Sequence, residues 1–125
     1  MSGERDMKPE TNGFTVASHF EGKTPNVRRI YDELLKRLKK LGPIREDPKK
    51  TSIHLLNATA LAGIATRKDS LVLTIKSDRP LNNQRIHKSE QTSARRFHHE
   101  VKLTTPAEVD NELMGWLTEA YRLSA

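Results

Sequence analysis

Two apolar stripes with helical spacing bracket a block in which apolar residues recur at every second position, and this order limits the chain to few folds. In the first stripe, Val27, Ile30, Tyr31, Leu34, Leu35 and Leu38 fall on one face of a helix over 25–40, and Leu41 continues the spacing. In the second, Val109, Leu113, Trp116, Leu117, Ala120 and Leu123 do the same over 106–123. Between them, 51–56, 60–66, 70–76 and 97–103 read as strands. Leu71, Leu73 and Ile75 alternate with Val72, Thr74 and Lys76, so this strand has one dry face and one wet face. Asn57 and the Arg67-Lys68-Asp69 run supply tight turns. The expected fold class is α+β: a helix, a four-stranded antiparallel sheet and a second helix, with both helices on one face of the sheet.

The helix ends carry their own signals. Thr24 is placed to cap the first helix, Pro25 occupies a position where its missing N–H costs nothing, and Gly42-Pro43 stops it. The second opens on a capping box, Thr105 with Glu108, again with a proline at the first helical position. Upstream, Thr15 is placed to cap a short helical turn that ends at Gly22. Residues 1–13 are polar and read as a disordered tail, leaving 14–125 as a single domain.

Composition excludes several classes of chemistry. Cysteine is absent, which removes disulfides, zinc–thiolate centres and thiol nucleophiles. No apolar run reaches membrane-spanning length and the N-terminal residues lack an apolar signal core, so the chain reads as cytoplasmic, without a membrane partner. The net charge is +6 and unevenly spread. Residues 25–40 hold six basic and two acidic side chains and residues 76–102 hold seven and three, whereas residues 105–123 hold one and four. A basic face of this kind attracts anions.

Most candidate chemistry lies between Lys76 and Lys102. A connection over 77–96 is long for a small domain, and such connections usually carry function. Its 88–94 portion is expected to form a helical turn. His98 and His99 are adjacent on a strand and therefore point to opposite faces. His99 shares the face of Phe97 and Val101 and reads as a hydrogen-bonded core histidine. His98 shares the wet face with Glu100 and Lys102. His54 is opposite in face to Ile53 and Leu55, so His54 and His98 are expected to meet on the open side of the sheet, where a metal would need Glu100 as a third ligand. Lys49-Lys50-Thr51-Ser52, Lys76 and Arg95-Arg96 sit at strand ends and form a candidate anion site. Asp78 followed by Glu100-Val101-Lys102 has the Asp…E-x-K order with which many nucleases hold Mg²⁺ and orient water. No nucleophile elbow, Walker loop, dinucleotide fingerprint or H-E-x-x-H motif occurs.

Several stretches together resemble a known family. They are Phe14-Thr15-Val16 with His19-Phe20-Glu21-Gly22-Lys23, Pro48 to Leu55, Lys76-Ser77-Asp78-Arg79-Pro80-Leu81, Lys88-Ser89-Glu90-Gln91, Arg96 to Leu103, and Glu108-Val109-Asp110 with Trp116-Leu117 and Ala120-Tyr121. The chain is similar over 14–125 to a bacterial domain of unknown function, a small α+β domain found also at the C-terminus of so-called predicted transport proteins and beside nuclease-like modules. The resemblance implies no catalytic residues and, by association only, proximity to nucleic acid.

These observations read as a non-enzymatic binding module without a cofactor or a resident metal. Its expected ligand is anionic, either nucleic acid or a phosphorylated small molecule, contacted by Lys50, Ser52, His54, Lys76, Arg96 and His98. One alternative is a metal-dependent hydrolase or nuclease using Asp78, Glu100 and Lys102. Another is a protein-binding domain that presents its acidic C-terminal helix. The sequence leaves the oligomeric state open.

Overall fold

The computed structural model describes residues 13–125, so the expected N-terminal tail lies, apart from Gly13, outside the described residues. In chain order a 3₁₀ turn (Ala17–Phe20) precedes α1 (Pro25–Leu38). Six strands follow: β1 (Arg45–Pro48), β2 (Ile53–Leu56), β3 (Ala60–Thr66), β4 (Leu71–Ser77), β5 (Ile86–Ser93) and β6 (Arg96–Leu103). A 3₁₀ turn (Pro106–Glu108) and α2 (Asn111–Leu123) close the chain.

The expected four-stranded, helix–sheet–helix layout is therefore corrected. The sheet has six strands in the order β1-β2-β3-β4-β6-β5, every neighbouring pair is antiparallel, and strand residues outnumber those in the two α-helices. The two additional strands are the edges. β1, with the sequence REDP, arises from a charged stretch read as a connection, and its proline stands at the end of an edge strand, where its missing N–H is tolerated. β5 occupies the second half of the expected 77–96 loop, in place of its 88–94 helical turn, and 78–85 remains a connection. It pairs with β6 through a hairpin that closes between Ser93 and Arg96.

The core is built from one parity of strand positions. Ile53, Ile64, Leu73 and Val101 lie in one cross-strand row, with Leu55, Ala62, Ile75 and His99 in the next. All eight are buried, together with Val27, Ile30, Tyr31, Leu34 and Leu38 of α1 and Leu113, Leu117 and Ala120 of α2. A bulge between Leu55 and Leu56 leaves Leu61 as the extra residue of β3, and Leu61 is fully buried.

Polar contacts lock the connections onto this core. Thr24 is the N-cap residue of α1, but its hydroxyl bonds Asp69 rather than the helix, tying α1 to the β3–β4 turn. The Thr105–Glu108 capping box is formed, yet the turn it opens is a 3₁₀ turn. Asp110 caps α2, accepting from the Leu113 N–H at 3.0 Å. The β2–β3 turn is held by the end of the chain, with the Ala58 and Thr59 N–H groups donating to the Ser124 carbonyl at 2.8 and 3.0 Å.

Candidate functional site

Strand parity fixes what faces away from the helices. His54 of β2, Gly63 of β3, Thr74 of β4 and Glu100 of β6 form one row across that face. Lys76 and His98 are paired directly one step along, and Arg96 follows His98 at a spacing of two on the same side of β6. Because Gly63 has no side chain, the row has a gap between His54 and Thr74. Around it lies a half-open groove of about 280 Å³, lined by Ser52, His54, Gly63, Thr74, Lys76 and His98 as well as neighbouring alanines of β3. The His54 ring leans over the gap, and a Cβ built on Gly63 would come within 3.9 Å of its Cδ2 atom.

Four of the six residues expected to contact a ligand therefore line one groove: Ser52, His54, Lys76 and His98. Arg96 stands beside its rim, near enough that its charge acts on Lys76. Burial, and then the charge of Arg96, hold the Lys76 ammonium below the ordinary lysine range. The Lys76 Nζ donates to Thr59 Oγ1 at 3.2 Å. Among the described residues neither Lys76 nor Arg96 has a carboxylate within ion-pair distance. Lys50 stands apart from the groove, exposed in the β1–β2 turn, where the Lys49 N–H donates to the Ser52 carbonyl at 2.7 Å.

The histidines do not converge. β3 and β4 separate β2 from β6, so His54 and His98 stand on strands roughly 14 Å apart, at opposite sides of the groove. Among the described residues no group of three or more His, Cys, Asp or Glu is placed to hold a metal ion. Nor does the Asp…E-x-K set assemble. Glu100 pairs with Thr74 and Lys102 with Val72, whereas Asp78 lies beyond Ser77 at the far end of β4. Asp78 is thus about 13 Å along the strand from the row of Glu100 and about 20 Å from that of Lys102. Instead, Asp78 pairs with Arg79 at 3.6 Å, and the Glu100 carboxylate lies 3.4 Å from His87 Nε2.

His99 is the core histidine its parity implies. It is fully buried, with Nε2 3.0 Å from the Arg79 carbonyl and Nδ1 2.8 Å from Ser89 Oγ. A carbonyl only accepts, so Nε2 carries the proton, and in the neutral ring Nδ1 accepts from the Ser89 hydroxyl. The imidazole also stacks on Phe97, with centroids 5.9 Å apart.

Arg85 has a part that the sequence reading missed. It ends the 78–85 connection and reaches Asp110 at 2.9 Å, Glu112 at 3.1 Å and the Glu108 carbonyl at 2.8 Å. Burial opposes its charge, but these carboxylates outweigh that and raise its proton affinity. Asp110 is held below the ordinary carboxylate range, first by the Leu113 N–H and then by Arg85. Burial pulls Glu108 upward, yet hydrogen bonds from Thr104 and Thr105, aided by the charge of Arg85, bring it below its usual value. Its sequence signal was the acidic start of α2 facing a chain with basic loops. That pairing is structural and lies away from the groove.

The fold and site define a small antiparallel domain with α+β content, whose groove has a small apolar floor and a basic end. From residue 16 to residue 124 the sequence matches the family described as Domain of unknown function (DUF5655), and the chain belongs to that family. No curated protein and no solved structure matches it significantly. No helix among the described residues is long and apolar enough to cross a membrane.

Proposed function

We propose that this domain is a non-enzymatic binding module for a phosphorylated small molecule with a flat body, held in the open-face groove. One observation carries the reading. Lys76 and Arg96 are diagonal neighbours on the open face beside a groove and have no carboxylate partner among the described residues. Two uncompensated cations gain when an anion arrives, and burial of one of them strengthens the attraction. The Lys76 ammonium, the Arg96 guanidinium and an imidazole N–H of His98 supply donors at that end. The gap over Gly63 accepts a flat ring, with the His54 imidazole beside it and the Ser52 hydroxyl at the margin. A volume of about 280 Å³ lies just below the usual range of small-ligand pockets, which favours a ligand no larger than a mononucleotide. Nucleic acid is less well served, since among the described residues none of the side chains lining the groove is a Phe, Tyr or Trp on which bases stack.

Calorimetric titration with adenosine monophosphate, inorganic phosphate and a short single-stranded oligonucleotide tests this. Binding of the mononucleotide that is weakened at least tenfold in Lys76→Ala is expected. Binding of the oligonucleotide alone would redirect the reading to nucleic acid, and binding of none of the three would overturn it.

A further inference from the structure

The two edges of the sheet differ in how open they are to a further strand. β1 is four residues long, ends in a proline without an N–H, and is followed by Lys49, whose carbonyl lies 2.7 Å from His19 Nε2. β5 is eight residues long and, among the described residues, pairs only with β6, and its side chains are exposed from His87 through Ser93. Register shifts at His87 and Thr92 leave 88–91 as its straight run. An edge of this kind presents unpaired N–H and C=O groups to a new strand.

Within that run Lys88 and Glu90 lie two apart, on one face, flanking Ser89. Neither is in an ion pair among the described residues. We propose that β5 pairs antiparallel with β5 of a second copy of this chain, with Ser89 opposite Ser89 of the partner subunit. In that register Lys88 faces the partner's Glu90 and Glu90 faces the partner's Lys88. Moving the two-fold axis by one residue in either direction sets Lys88 against Lys88 of the partner subunit, or Glu90 against Glu90 of the partner subunit. Opposite charges directly across a strand pair stabilise it and like charges oppose it, so the short run selects its own register. The contact is isologous and closes as a dimer. The two-fold axis passes through the sheet, so both grooves open on the same side. A straight run this short buries little area, which makes the association weak and reversible. The inference does not depend on what the groove binds.

Sedimentation equilibrium of the full chain over a wide range of concentration tests it. The unmodified chain is expected to show a monomer–dimer equilibrium. Lys88→Glu and Glu90→Lys each place like charges at both crossing pairs, so each is expected to stay monomeric where the unmodified chain dimerises. Mixed in equal amounts, the two variants present opposite charges at every crossing pair and are expected to form a heterodimer. The doubly exchanged K88E/E90K chain is expected to dimerise by itself, which shows that neither substitution has unfolded β5. An unmodified chain that stays monomeric, single variants that dimerise undiminished, or a mixture and double variant that both stay monomeric would each overturn the proposal.

Discussion

Gly63 separates the requirements of the fold from those of the groove. It lies in the interior of β3, where a glycine gives up more chain entropy than any other residue. Its backbone is not left-handed, because the positive-φ glycines are Gly13, Gly22 and Gly42. Among the described residues a Cβ placed there meets only His54 Cδ2, at 3.9 Å, an ordinary van der Waals contact. Gly63→Ala is therefore expected to stabilise the domain by roughly 0.5–1 kcal/mol. For a domain of this size that raises the melting temperature by about 2–6 °C, measurable by circular dichroism or calorimetry. Gly63→Leu extends the experiment, since its side chain would stand in the middle of the groove of about 280 Å³ while the apolar face beneath is untouched. This variant is expected to fold and to lose mononucleotide affinity at least tenfold, about 1.4 kcal/mol. A destabilising Gly63→Ala would refute the account of the open row. Unchanged affinity in Gly63→Leu would place the ligand elsewhere.

Three further predictions address the charges and the core. Anion binding is expected to weaken as pH rises through the lowered Lys76 range, where the ammonium is lost; Lys76→Arg should retain affinity at pH values where the unmodified chain has lost it, as read by titration across pH. Arg85→Ala removes contacts to Asp110, Glu112 and the Glu108 carbonyl and is expected to cost about 1–2 kcal/mol in urea unfolding, discounted because the carboxylates are half exposed. Asp110 and Glu108 titrate below their ordinary values of 3.8 and 4.5, so their stabilisation is present above those values and is lost as pH falls through the lower folded ones; acid unfolding of Arg85→Ala should begin at higher pH than that of the unmodified chain. Tyr31 is fully buried and its hydroxyl donates to Glu46 Oε2 at 2.6 Å, joining α1 to β1; Tyr31→Phe is expected to cost about 1 kcal/mol by chemical denaturation, while Tyr31→Ala costs about 3–5 kcal/mol through the cavity it leaves.

What the sequence made legible followed burial. The helical stripes and the central strands appeared because one face of each is dry, and the split of His98 from His99 followed from period two alone. β5 was illegible for the same reason: after Ile86 it is polar on both faces, so no alternation marks it as a strand. Its hairpin also closes through Ala94 and Arg95, without the Asn-Gly or Asp-Gly signal that usually announces such a turn. β1 is short and charged, and reads as a connection. The candidate site was legible as a face but not as a place. Parity put His54, Lys76 and His98 on the open side, whereas register was needed to show that β3 and β4 separate the two histidines, and that Asp78 is far from Glu100 and Lys102. The groove itself comes from an absence, the missing side chain of Gly63, which carries no pattern of its own.

The most direct test of the central claim is a titration of isotopically labelled protein with adenosine monophosphate, followed through its amide and imidazole resonances. Saturable shifts concentrated at Ser52, His54, Gly63, Lys76 and His98, and largely absent from β5 and α2, are the predicted result. Shifts confined to the Arg85–Asp110 region or to the exposed face of α2, with the groove unmoved, would contradict it.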